Sequence, residues 1–313
     1  MTSAAPRLTR RGGIRTAAAA ALALPLAAGA ARAHAAAGRT APAPAPRPEG
    51  DGGSPALSTM TFNLRYASDT PPHSWPERRP VTRALLRREP PHLIGTQEGL
   101  YAQLRDIAHD LGRSRYDWIG TGRAGGSRDE FMAVFYDVRR LLPLEYDHFW
   151  LSDQPRLIGS ATWGNTVIRM VTWVRFQDLA TGREFVHLNT HLDHRSQYSR
   201  ERSAALIVRR LAEFDASLPR LVTGDFNVPA HGNPVHETLL ADGKLADTWD
   251  SAERRGKLYG TFHGYKPLVP DGDRIDWILA SPGVRVRRAS VNTYARHGQY
   301  PSDHLPVQAL VEL

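Results

Sequence analysis

The stretch Leu221-Val222-Thr223-Gly224-Asp225-Phe226-Asn227 constrains this chain more than any other. Leu221 and Val222 close an apolar run after Pro219 that is short enough for a buried strand. Thr223 and Gly224 break the run, and glycine permits a tight turn. Asp225 and Asn227 then stand two residues apart at the strand's carboxyl end. Extended backbone would send both side chains the same way, one bringing negative charge and the other an amide that donates and accepts. Such a pair suits a site that activates water and holds a phosphate oxygen. It equally suits an Asx turn, because Asp and Asn close turns through their own side chains. The stretch alone leaves both readings open.

Six further stretches put polar or charged residues where strands are expected to end. They are Phe62-Asn63-Leu64-Arg65, Thr96-Gln97-Glu98, Asp129-Glu130-Phe131, Asn189-Thr190-His191-Leu192-Asp193-His194, Arg274-Ile275-Asp276-Trp277 and Ser302-Asp303-His304. Each has a structural reading of its own. Glu98 could cap the helix expected from Tyr101, Asp276 could be a satisfied strand-end carboxylate, and His191 a hydrogen-bonded core histidine. The chain has no cysteine, so disulfides and thiolate metal sites are excluded, and any metal must take oxygen or imidazole ligands. Taken together the stretches supply hard oxygen ligands and two histidines, without a cysteine or serine nucleophile. That inventory fits metal-assisted attack of water on phosphorus.

Strands are expected over Leu57–Leu64, Leu93–Gln97, Phe131–Tyr136, Leu221–Gly224, Arg274–Ala280 and Leu305–Val311. The segments Arg169–Phe176 and Glu184–Thr190 flank Ala180-Thr181-Gly182 and read as a hairpin, and Val284–Tyr294, with its alternating arginines, as an exposed edge. Helices are expected over Pro76–Arg88, Tyr101–Leu111 closed by Gly112, Glu201–Phe214 and Val235–Leu240. Strands alternate with helices early and late, which argues for sheets covered by helices in one α/β domain over residues 58–313.

The N-terminus reads as a targeting segment. Arg7, Arg10, Arg11 and Arg15 form a basic region ahead of an Ala/Leu-rich run, and Ala33-His34-Ala35 fits a small-x-small cleavage site. Thr9-Arg10-Arg11 resembles a twin-arginine signal. We therefore expect a signal peptide over residues 1–35, a Pro/Ala-rich disordered linker over 36–57, and a secreted mature chain. Loss of residues 1–35 removes five arginines and no acid, so the formal charge of +8 falls to 8 − 5 = +3. No dense basic stripe with interleaved aromatics is present, which weakens long nucleic acid as a substrate. The mature chain is expected to be a monomer with no stable membrane insertion.

The ordered set Asn63, Gln97-Glu98, Asn189-Thr190-His191, Gly224-Asp225-Phe226-Asn227, Arg274-Ile275-Asp276 and Ser302-Asp303-His304 resembles the endonuclease/exonuclease/phosphatase superfamily. That superfamily includes pancreatic-type deoxyribonuclease, abasic-site endonucleases, deadenylases, neutral sphingomyelinases and inositol polyphosphate 5-phosphatases. Phe62 to Tyr66, Ser74 to Arg79, Phe149 to Ser152 and Tyr300 to His304 resemble a secreted bacterial branch most closely. The resemblance implies a four-layer α/β/β/α sandwich of the deoxyribonuclease I type, with strand ends meeting at one cleft. It implies Mg²⁺, with Mn²⁺ as the alternative, held by Glu98 with Asn63 and Asp303 beside it. It implies that Asp225 orients or deprotonates the attacking water and that Asn227 holds a phosphate oxygen. It implies that His304 is the active-site histidine with Asp276 fixing its tautomer, and that His191 stabilises the pentavalent phosphorus with Glu130 orienting it. Tyr136 and Arg169 are implied phosphate contacts. Abasic-site endonucleases carry an acid two residues after the motif asparagine; Arg65 stands there instead, which favours one tightly held metal.

The expected function is thus a secreted, Mg²⁺-dependent phosphoesterase cleaving a phosphodiester or phosphomonoester by direct water attack. Nuclease, sugar- or inositol-phosphate phosphatase and phospholipid head-group hydrolase share the same core residues. The rival from another class is a catalytically inactive binding module on the same fold.

Overall fold

Two parallel crossovers set the architecture of residues 55–313, the part of the chain that the computed structural model describes. The expected signal segment and the expected linker up to residue 54 lie outside the described residues. In chain order the first elements are β1 (Leu57–Asn63), α1 (Trp75–Arg88), β2 (Leu93–Gln97), α2 (Tyr101–Leu111), β3 (Tyr116–Ile119) and β4 (Val134–Asp137). Then come β5 (Leu141–Trp150), β6 (Met170–Asp178), β7 (Glu184–His191), α3 (Gln197–Leu211), β8 (Arg220–Asp225) and α4 (Pro234–Ala241). The chain closes with β9 (Ala246–Asp247), α5 (Thr248–Ser251), β10 (Arg254–Arg255), β11 (Asp276–Ala280), β12 (Arg285–Val291) and β13 (Val307–Glu312).

The strands form two sheets, ordered β10-β12-β13-β1-β2-β4-β3 and β5-β6-β7-β8-β11-β9. Each holds one parallel pair joined through a helix: β1–α1–β2 in the first and β7–α3–β8 in the second. Three apolar clusters define the layers. One joins β1, β2 and β4 to the inward faces of α1 and α2, through Met60, Phe62, Leu85, Ile94, Leu104 and Phe135. A second joins β7 and β8 to α3 and α4 through Val186, Leu188, Ala204, Ile207, Val222 and Leu239. The third lies between the sheets, where Leu57, Leu93, Val174, Phe176, Leu221 and Ile278 meet. Helix, sheet, sheet and helix therefore stack as four layers, which is the expected α/β/β/α sandwich. No described helix is long and apolar enough to cross a membrane.

The sheets approach closely beneath the cleft because of Gly95. A Cβ there would meet Thr223 Oγ1 at 2.0 Å and Asn189 Oδ1 at 2.5 Å. Across that contact Gln97 Nε2 donates to Asn189 Oδ1 at 2.7 Å, and Asn189 Nδ2 donates to the carbonyls of Thr96 and Ala133. Gln97 and Asn189 thus rivet one sheet to the other rather than facing the cleft. Gly112 ends α2 as expected, with φ +89°, and Ser74 and Glu77 form a capping box at the start of α1 that was not among the expected helix signals. The ten-residue β5 is not legible in the sequence. Pro143 interrupts it, its register shifts between Pro143 and Glu145, and it is an edge strand, so its middle residues are exposed and do not alternate.

One expectation fails on register. Tyr136 pairs with Leu93, at the opposite end of β2 from Gln97 and Glu98. Five residues of strand correspond to about 16 Å. Tyr136 packs on Phe176 in the core between the sheets, so it is a core aromatic and no phosphate contact.

Candidate active site

Strand polarity brings the remaining polar ends together. Parallel β1 and β2 end side by side at Asn63 and Gln97, and parallel β7 and β8 end at His191 and Asp225. Antiparallel β11 begins at Asp276 directly opposite Asp225, and β13 enters opposite Thr61, which sets Asp303 and His304 just ahead of it. Arg169 precedes β6, which runs antiparallel to β7 with Val171 opposite Thr190. One rim of the sandwich therefore collects side chains from both sheets.

Asp225 is the centre. Its Oδ1 accepts from the Asn227 backbone N–H at 2.9 Å, which is an Asx turn. Its Oδ2 accepts from Asn63 Nδ2 at 2.9 Å and lies 3.4 Å from His191 Nε2 and 3.8 Å from His304 Nε2. Both readings of the Gly224-Asp225-Phe226-Asn227 stretch hold at once, one oxygen for each. The backbone is not extended at Asn227, whose φ is +55°. Arg65, Glu98 and Asp129 are likewise left-handed at φ +51°, +62° and +67°. Such strain costs about 1–3 kcal/mol per residue and gathers at functional sites.

Glu98 does not cap α2. Its Oε1 accepts from Asn63 Nδ2 at 2.9 Å and its Oε2 from the Tyr66 N–H at 3.1 Å. Two carboxylates from different sheets thus converge on one amide. Glu98, His191 and Asp225 present ligand atoms within 4.8 Å of one another. This oxygen-rich donor set fits a hard divalent cation. Asn63 turns its Nδ2 toward the acids while its Oδ1 accepts from the Arg65 N–H at 2.9 Å. Asp303 stands outside the group, with its carboxylate 3.2 Å from Arg65 Nη1. Arg65, two residues after Asn63, thus occupies Asp303.

The two histidines differ in charge. His304 Nδ1 lies 2.9 Å from Asp276 Oδ2. Burial alone would lower its pKa, but the Asp276 and Asp225 carboxylates outweigh it and raise it to about 10. His191 is held well below the usual histidine range, first by burial and then by Arg169 and His304. Hydrogen bonding fixes its tautomer too. Asn227 Nδ2 donates to the Leu192 carbonyl at 3.0 Å, so it is the amide nitrogen, and it meets His191 Nε2 at 2.9 Å. His191 Nε2 must therefore accept, which leaves the proton on Nδ1. Both donors of Asn227 are spent this way, so in this arrangement Asn227 orients His191 rather than offering a free N–H to phosphate. Asp225 is raised above the carboxylate range by burial and by Asp276.

The expected Glu130–His191 pair is not formed. Glu130 Oε2 accepts from Arg123 Nη1 at 2.7 Å, and burial pushes the Glu130 carboxyl up to about 7. Arg169 is 3% exposed, and its Nε and Nη1 have no partner; its Nη2 lies 3.5 Å from His194 Nδ1. Each unpaired buried donor costs about 1–3 kcal/mol, a cost that an incoming anion removes. Arg123 belongs to the same cationic corner; the sequence marks its loop but gives its side chain no role.

A profile of the Endonuclease/Exonuclease/phosphatase family matches residues 60–304. Among solved structures the chain is similar to a Bacteroides thetaiotaomicron mannosyl-6-phosphatase, with 32% identity and a TM-score of 0.77 over 82% of this chain and 100% of that one. It is similar to an endonuclease/exonuclease/phosphatase from Bacteroides vulgatus, with 32% identity and a TM-score of 0.77 over 82% of this chain and 99% of that one. The human Nocturnin catalytic domain with bound sulfate shares the fold at 17% identity and a TM-score of 0.65, over 82% of this chain and 94% of that one. No curated protein matches the chain at a comparable level. The chain belongs to the endonuclease/exonuclease/phosphatase family of metal-dependent phosphoric ester hydrolases.

Proposed function

We propose that this protein is an exported, Mg²⁺-dependent phosphomonoesterase that releases phosphate from phosphorylated sugars by direct attack of water. The observation that carries the reading is one carboxylate, Asp225, set between a charged and a neutral histidine, with the unpaired Arg169 guanidinium in the same cleft. Asp225 Oδ2 orients the attacking water and takes its proton. Asp276 holds the His304 ring through Nδ1, so that Nε2–H faces the reacting group and stabilises the negative charge that develops there. Asn227 fixes His191 as the neutral Nδ1–H tautomer, a donor that brings no extra charge. Arg169 meets the non-bridging oxygens of a terminal phosphate. Glu98 and Asp225, the carboxylates that Asn63 Nδ2 joins, would hold the cation, which supplies Lewis-acid polarisation of the phosphoryl group.

Two features support a sugar monoester over a polynucleotide. The structural relative named for mannosyl-6-phosphate hydrolysis shares 32% of its sequence with this chain. Phe262 is 56% exposed, with its ring centroid 5.0 Å from that of His304, and offers an apolar face to a sugar ring. Export rests on the basic, Ala/Leu-rich N-terminus.

The test is a substrate panel of hexose phosphates, inositol phosphates, plasmid DNA, poly(A) and sphingomyelin, each with Mg²⁺, with Mn²⁺ and with chelator. Phosphate release from hexose phosphates that the chelator abolishes is expected. Nicking of DNA or head-group release as the main activity would replace the sugar reading, and metal-independent turnover would remove the mechanism.

A further inference from the structure

Arg78 lies on α1, away from the reacting residues, and is fully buried. No carboxylate bonds to it. Its five N–H groups instead all donate to backbone carbonyls. Nε reaches His73 at 2.9 Å, Nη1 reaches Leu64 at 2.6 Å and Pro301 at 3.1 Å, and Nη2 reaches Arg65 at 3.1 Å and Tyr66 at 3.0 Å. A guanidinium has five such donors in a fixed fork, and every one is used. A buried cation without a counter-ion is costly unless its surroundings are arranged to hold it.

The three segments it grips are not arbitrary. Leu64 to Tyr66 follow Asn63 directly, and the Tyr66 N–H is a donor to Glu98. Pro301 lies two residues before Asp303, three before His304. Those two loops come from β1 and the approach to β13, and Arg78 ties them to each other and to the start of α1. Gln103 adds a second bond to the Arg65 carbonyl at 2.9 Å, and Arg65 in turn meets Asp303. A lysine could not replace this fork, because its three donors leave from one atom and cannot spread over three loops.

We infer that Arg78 is a positioning residue: it fixes the loop from Asn63 to Tyr66, whose Asn63 amide and Tyr66 N–H hold Glu98, against the loop ahead of His304, at the spacing that cation binding by Glu98 and Asp225 requires. This rests on the reading of the cleft as a divalent-cation site. Residues that orient metal ligands from behind typically change metal affinity 10- to 100-fold when replaced.

The experiment compares the wild-type protein, Arg78→Lys and Arg78→Ala. Melting temperature is measured with and without MgCl₂ or MnCl₂, cation affinity by calorimetry, and turnover per folded molecule across a cation titration. Arg78→Lys is expected to stay folded, to lose about tenfold or more in cation affinity, to lose most of the cation-induced rise in melting temperature, and to recover turnover in excess cation. Millimolar guanidinium, but not an equal concentration of NaCl, is expected to restore part of the affinity of Arg78→Ala. Wild-type affinity in a variant that merely melts lower overturns the inference. So does failure of both variants to fold, since that makes Arg78 a stability residue alone. A wild-type protein with no cation-induced shift and no cation-dependent turnover would instead overturn the reading of the site itself.

Discussion

The two sides of the cleft use the same residue type in opposite states. On one side His304 is pinned by Asp276, faces Asp225 and is held protonated, its pKa raised to about 10 against the pull of burial. On the other side His191 is buried as deeply and shares Asp225 at 3.4 Å, but it has no carboxylate of its own, Arg169 and the charged His304 oppose its protonation, and it is held neutral. Burial pushes both the same way, so the partners alone account for the difference. The Asp276 carboxylate, 2.9 Å from His304 Nδ1, outweighs desolvation together with Asp225, whereas at His191 desolvation and the nearby cations prevail. The two histidines therefore cannot exchange roles. One is charged and the other is neutral.

Asp225 stands between the two sides, and its loss should be the largest single effect. Asp225→Asn is expected to cost ~10³-fold or more in kcat/KM, measured per folded molecule, with little change in melting temperature. A loss below tenfold would mean that the water is handled elsewhere.

The charged side can be broken in two steps. His304→Ala is expected to cost ~100-fold in turnover and Asp276→Asn ~10-fold. Asp276 is the largest influence raising His304, so its removal lowers that pKa, and the alkaline limb of the pH–rate profile moves to lower pH. The double variant should be no worse than His304→Ala, because nothing is left to orient. Additive losses would disprove the coupled pair.

The neutral side is sharpened through Arg169. Arg169→Met keeps the stem and removes the unpaired donors. KM for a phosphomonoester should rise about tenfold, while a simple phosphodiester substrate, with one charge less, changes by a smaller factor. Equal effects on both substrates would remove Arg169 as the determinant of monoester preference. The smallest effect is assigned to Tyr136→Phe, on β4 opposite the far end of β2: kcat/KM should stay within about twofold, and a large drop would contradict its placement in the inter-sheet core.

Much of the fold was legible. Runs such as Leu93–Gln97 and Leu221–Gly224, the hairpin around Gly182 and the capped helices follow from periodicity, turn chemistry and caps, which act over a few residues. The strand β5 was not, because an edge strand with a central proline and a register shift carries no period of two. At the site, the residue types were legible and their partners were not. Glu130 was assigned to His191 from its place in the chain, but Arg123 takes it; Tyr136 was assigned to phosphate, but register carries it to the far end of β2. Arg78 lay within a stretch already singled out, yet nothing in it announces that one side chain closes on five carbonyls.

The sequence by itself determined which polar residues stand at strand ends, that sulfur takes no part in the chemistry, and that helices cover the sheets. Only the tertiary structure decided which histidine carries a proton, which oxygen of Asp225 faces the cleft and which cation occupies Asp303. The reason is that protonation and pairing depend on groups within a few ångströms. Here those groups come from two sheets, 241 residues apart in the case of Asn63 and His304, and no local pattern carries that distance.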